Sequence, residues 1–114
     1  PRRRAPGSPR PGPAPAAEAA VGRARAAQRG GGDDQFVCLD KRWTLESNWR
    51  VDADYPSSSA YGIPQALPGS KMASAGSDWR TNPATQITWG LGYIEGRYGT
   101  PCSAWSHSVA KGWY

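Results

Sequence analysis

The chain has 114 residues, enough for one small domain of roughly 100 residues and too few for a large multi-domain enzyme. Its net charge of +5 is uneven: residues 1–35 carry seven Arg against Glu18, Asp33 and Asp34, for +4, while residues 36–114 carry seven Lys and Arg against six acids, for +1. A nearly neutral folded part argues against a nucleic-acid partner, and no apolar run approaches the roughly 20 residues that a membrane span needs.

Residues 1–32 contain 9 Ala, 7 Arg, 6 Pro and 6 Gly, leaving only Ser8, Glu18, Val21 and Gln28 outside those types. All twelve aromatics lie from Phe36 onward. Composition therefore predicts a disordered tail or linker over residues 1–34 and a folded unit over 35–114, with the core drawn from the second part. The stretch from Ala16 to Arg29 has the alanines of a transient helix, but Gly22 and the run Gly30-Gly31-Gly32 weigh against a stable one. Such a tail reads either as a solvated spacer or as an electrostatic tether to anionic polymers. Pro1 opens the chain with neither an initiator Met nor a hydrophobic signal core, as expected of a mature or truncated form.

A first helix is expected from about Gln35 to Asn48, with Asp33 and Asp34 as capping acids at its positive end. Phe36, Leu39, Trp43 and Glu46 recur at steps of three, four and three, so a carboxylate ends an apolar stripe. From Asp52 to Ser70 the chain is rich in Pro, Ser and Gly; it reads as a long ordered loop in which Tyr61 to Gln65 form a short extended segment. Asn82 followed by Pro83 marks the start of a second helix that stops at Gly99, with Ile87, Leu91, Ile94 and Tyr98 inward. Gly90, Gly92 and Gly96 weaken that helix, which points to close backbone packing or ligand approach. Thr100-Pro101 starts a last helix with Cys102, Trp105 and Val109 inward and Gly112 at its end. The fold class is mainly α, a small helical domain with a loop-rich insert.

Cys38 stands near the start of the folded unit and Cys102 near its end. In a reducing compartment they are two thiols; in an oxidising one they pair and close most of the domain into one loop. The reading adopted is the bridge, and with it export. His107 is the only histidine, so no metal site and no cofactor is expected. Asp52-Ala53-Asp54 begins like a calcium loop, but the glycine required at its sixth position and the bidentate Glu at its end are missing. Phosphate-binding and serine-hydrolase motifs are absent.

What remains is Glu46 in Leu45-Glu46-Ser47-Asn48-Trp49, with Trp43 and Trp49 on either side. An acid catalyst for glycosidic cleavage needs a carboxyl that holds its proton near neutral pH, and partial burial against apolar walls provides that setting. Trp79, Trp89, Trp113 and Tyr114 are candidates to stack on sugar rings, or simply core residues.

Glu46-Ser47, then Ser59-Ala60-Tyr61-Gly62-Ile63-Pro64-Gln65, then Asn82-Pro83 with Gln86-Ile87, Gly90 and Tyr93-Ile94, resemble in order and spacing the motifs of the soluble lytic transglycosylases of the lysozyme superfamily. The run from Ala66 to Gly76 is similar to the small secreted actinobacterial members in particular. The resemblance spans the folded unit and implies a lysozyme-like helical domain with a cleft for the glycan strands of peptidoglycan. It implies that Glu46 is the catalytic acid and then base, and that Tyr61, Gly62 and Gln65 line the cleft. Ser47, Ile63, Gln86, Tyr93 and His107 complete the candidate glycan-binding set. Gln86 stands where the larger members have Asn, and Trp105-Ser106-His107-Ser108 replaces their Tyr-Asn-Ala-Gly. The expected activity is cleavage of the MurNAc-GlcNAc linkage with 1,6-anhydro product, by a secreted or cell-envelope monomer. The alternatives are lysozyme-type hydrolysis, with Asp52 or Asp54 placing a water, and a wall-binding module with little or no turnover.

Overall fold

The computed structural model describes residues 13–54 and 57–111, with side chains from residue 16 onward, and these residues form a mainly helical fold. Four α-helices occur among them: α1 Pro13–Gln28, α2 Asp33–Ser47, α3 Pro83–Tyr98 and α4 Pro101–Lys111. The long connection from α2 to α3 contains a 3₁₀ helix, Gly69–Ser74. Residues 1–12 of the expected tail, Gly112 as a helix stop, and Trp113 and Tyr114 as stacking candidates lie outside the described residues.

Helix α3 follows its local signals. The Asn82 side chain accepts the Ala84 N–H at 2.9 Å, Pro83 fills the first turn, and Gly99 ends the helix. Asp78 braces this start by accepting from Asn82 Nδ2 at 2.8 Å and Thr85 Oγ1 at 2.7 Å, which holds its carboxyl below the usual range. Ile87, Leu91 and Ile94 are buried, and Tyr98 packs partly buried against them. Of the three glycines in α3, Gly90 alone meets a neighbour closely: a Cβ there would lie 2.5 Å from the Trp43 ring, while Gly92 and Gly96 face open space.

Helix α2 starts two residues earlier than its pattern suggests. Gly32 occupies the capping position without a side-chain bond, and Asp33 and Asp34 sit in the first turn, where their charge suits the positive end of the helix. Phe36, Leu39 and Trp43 are buried as the spacing predicts. In α4 the inward face differs from the expected one. Ala104 and Ser108 are buried, Trp105 and Cys102 are half-buried, and Val109 is 67% exposed. Two small side chains one turn apart let α4 approach closely, and the Ser108 hydroxyl is satisfied inside the helix by the Ala104 carbonyl at 3.0 Å.

The largest departure is α1, which occupies residues assigned to the tail. It packs on the core through Ala19, Val21 and Ala26, the last of these buried. Arg25 donates to Thr88 Oγ1 at 3.1 Å, and Arg29 pairs with Glu95 at 2.6 Å, so polar contacts run along α3 beside the apolar seam. Gly22 is where the indole of Trp49 lies: a Cβ at Gly22 would stand 2.6 Å from that ring. The residue that weakens the helix in isolation is the one that lets it dock, and alanine, the best helix former, is small enough to keep the helices close.

Cys38 and Cys102 form a disulfide between α2 and α4, across 64 residues of sequence. A loop of that size is worth on the order of 4 kcal/mol in the chain-entropy account. Among the described residues no helix is long and apolar enough to cross a membrane.

The glycines of α3 give a paired test. Ala in place of Gly gains about 1 kcal/mol in a helix interior, whereas overpacking a core costs about 1–3 kcal/mol. Gly92→Ala should therefore raise the melting temperature and Gly90→Ala should lower it, as followed by circular dichroism. Equal shifts of the same sign would contradict the contact between Trp43 and the α3 backbone.

Candidate active site

Glu46 is the penultimate residue of α2, and its side chain is 18% exposed. One turn earlier lies Arg42, whose side chain is 5% exposed and whose Nη2 donates to Glu46 Oε2. A guanidinium keeps its charge at any ordinary pH, so burying it demands an anionic or acceptor partner. Glu46 supplies one. The pair also offsets the placement of a carboxylate at the negative, C-terminal end of a helix.

After Ser47 the chain turns sharply through Asn48 and Trp49, both left-handed with φ of 53° and 61°. Ser47 holds the turn: its hydroxyl donates to the Ile63 carbonyl at 2.7 Å and accepts the Trp49 N–H at 3.2 Å. Trp49 folds back under α2 with its Nε1 donating to Asp40 at 2.8 Å and its ring edge-on to Trp43 at 5.2 Å. The aromatics flanking Glu46 in sequence are thus both interior.

The segment expected to be extended is a tight reversal. Tyr61 and Ala66 exchange backbone hydrogen bonds of 3.0 and 3.1 Å, and the chain turns between them with positive φ at Gly62 and Gln65. Gln65 Nε2 donates to the Ala53 and Gly62 carbonyls at 3.1 and 3.0 Å, and its Oε1 is buried without a hydrogen-bond partner. Gln86 on α3 has no exposed surface. Its Oε1 accepts the Ile63 N–H at 2.8 Å, and its Nε2 donates to the Val51 and Trp79 carbonyls at 2.9 and 2.8 Å.

These contacts sort the expected glycan-binding residues. Ser47, Gly62, Ile63, Gln65 and Gln86 come together, but as a buried network that fixes the loop beside the end of α2. Gln86 faces the interior with its amide bonded at both ends, so it supports the loop and offers no surface to a ligand. Tyr61 stands at the edge, half-buried, its hydroxyl donating to the Arg80 carbonyl at 2.9 Å and its ring edge-on to Trp79 at 5.7 Å. Burial pushes its phenol up, with a further push from the Asp52 charge. Arg80 lies 4.5 Å over the Trp79 ring.

Tyr93 and His107 belong to a second aromatic row. Trp89 and Tyr93 stack at 5.3 Å, Tyr93 meets Tyr98 at 6.3 Å, and Tyr98 meets the His107 ring at 5.0 Å. Burial raises the Tyr93 phenol and the neighbouring Tyr98 adds to it, while the charges of Arg97 and Arg42 oppose the rise. Asp52 is exposed and paired with Arg50 at 3.1 Å, and Asp54 is also exposed. The residue that sequence reasoning passes over is Arg42. Its signal was present: a cation four residues before a glutamate, between Leu39 and Trp43 on the apolar side of the helix.

Comparison with family models, curated proteins and solved structures finds no match to this chain.

The support role of Gln86 has a direct check. A buried polar group left unpaired costs about 1–3 kcal/mol, so Gln86→Leu, which strands the Ile63 N–H and two carbonyls, should lower stability by about 3 kcal/mol or more in urea unfolding. A wild-type urea midpoint would show that the loop does not depend on this amide.

Proposed function

We propose that the chain is a peptidoglycan lytic transglycosylase that cleaves the MurNAc-GlcNAc β-1,4 linkage of glycan strands. The observation that carries this reading is the half-buried carboxyl of Glu46, which ends the apolar stripe of α2. The motifs around it, from Glu46-Ser47 through Tyr61 to Gln65 and on to Tyr93, support the same reading.

In this mechanism Glu46 gives its proton to the bridging oxygen, and the bond from C1 of the muramic residue to that oxygen breaks. The acetamido group of the substrate stabilises the oxocarbenium-like state in place of a second carboxylate. Glu46, now ionised, takes the proton of the muramic 6-hydroxyl as its oxygen bonds to C1, which closes the 1,6-anhydro ring and regenerates the acid. The exposure of Asp52 and its pairing with Arg50 support intramolecular attack over hydrolysis, because a second catalytic carboxylate must be fixed in position. Tyr61 and Trp79 on one edge, and Trp89 with Tyr93 on another, supply aromatic surface for sugar rings. The Cys38–Cys102 bridge suits an oxidising compartment, and with it a secreted or cell-envelope location.

Digestion of purified peptidoglycan with mass analysis of the soluble products tests the reading. Fragments should be lighter by one water than hydrolysed muropeptides, and Glu46→Gln should reduce their release by about two to four decades with an unchanged circular dichroism spectrum. Reducing muramic ends would establish hydrolysis. Binding of chitooligosaccharide by both proteins with cleavage by neither would make the domain a wall-binding module.

A further inference from the structure

Arg42 occupies a position that an apolar side chain would fill more cheaply. Its neighbours along α2, Leu39 and Trp43, are fully buried, and its own side chain is 5% exposed. Replacing a buried ion pair by well-packed apolar residues is often neutral or stabilising, so stability alone is a weak reason for a guanidinium there. The pair is also asymmetric. Arg42 is interior, whereas Glu46 keeps 18% of its side chain exposed, so the fixed charge lies behind the carboxyl and the carboxyl meets the solvent side.

Resting on the catalytic reading of Glu46, we infer that Arg42 is the positioning residue of the active site: by holding Oε2 from the interior it fixes the Glu46 side chain so that the other oxygen is presented to the glycosidic bond. A glutamate has three side-chain torsions, and a free one at a helix end samples several rotamers. A displacement of about 1 Å in a reacting group can cost about a hundredfold in rate. The geometry of the pair removes that freedom without placing Arg42 itself against the substrate.

The test compares the full chain with Arg42→Met, Arg42→Lys and Glu46→Gln on purified peptidoglycan, measuring initial rates over a range of substrate concentrations and thermal unfolding of each protein. Arg42→Met keeps an unbranched apolar stem and removes the charge, and the partial exposure of Glu46 lets its carboxylate rehydrate, so the variant should fold. It should lower kcat about 10- to 100-fold with KM within about twofold and little change in melting temperature. Arg42→Lys, which keeps the charge with a less exact reach, should recover at least a third of the loss on a logarithmic scale. Full kcat in Arg42→Met, alongside an inactive Glu46→Gln, would overturn the positioning role and leave the catalytic reading standing. A fall in kcat in step with melting temperature, without recovery in Arg42→Lys, would make Arg42 a structural residue only. A wild-type chain that releases no fragments would overturn the catalytic reading and this inference with it.

Discussion

The amide of Gln86 meets three backbone groups from separate stretches of chain, at Val51, Ile63 and Trp79, and does so with no exposed surface. Everything between α2 and α3 hangs on that meeting. The connection has little regular structure to satisfy its own backbone, and a loop that covers a core must find partners for its buried N–H and C=O groups. Gln86 provides both a donor and an acceptor from a rigid helix, and Gly62 permits it: a Cβ there would stand 2.5 Å from the Gln86 oxygen. Because the Ile63 N–H is bonded to Gln86 and its carbonyl to the Ser47 hydroxyl, the end of α2 and the face of α3 are joined through one residue.

That joint explains how a domain with so few apolar residues orders the long connection beside Glu46. Trp43 and Trp49, next to Glu46 in the chain, pack against Gly90 and Gly22, and the surroundings of Glu46 are left to polar restraint. Arg42 and the Ser47 turn restrain the end of α2 at Glu46, and two groups of aromatic rings are held by different devices. Tyr61 and Trp79 are fixed by the loop and a backbone carbonyl, whereas Trp89 stacks on Tyr93 one turn along α3 and Tyr98 meets Tyr93 from the end of that helix.

What could be read from sequence depended on whether the determining contact was local. The span of α3 was fully legible because Asn82-Pro83 and Gly99 act within a turn of where they stand. The apolar stripe of α2 was legible by period alone, up to and including the half-buried Glu46. The inward face of α4 was misjudged because pattern reading favours large apolar side chains, and here Ala104 and Ser108 allow the close approach while Val109 faces solvent. The packing of α1 was missed for the same reason, since counting aromatic and branched residues ignores what alanine does against a flat indole. Gln86 could be placed on the right helix but not inside it. Nothing in a sequence tells an amide that touches a ligand from one that meets only backbone.

The docking of α1 sets a physical limit on where the domain begins. Its contacts cover one face of the Trp49 indole and the Phe36 ring, the latter also capped by Arg23 at 4.4 Å from the ring centroid. Trimming the chain to the glycines at 30–32 would strip that cover and bare a contiguous aromatic and aliphatic patch reaching Leu91. Exposed patches of that kind drive self-association. A shortened form would thus trade an intramolecular seam for an intermolecular one, and its solubility, rather than its helix content, would register the loss.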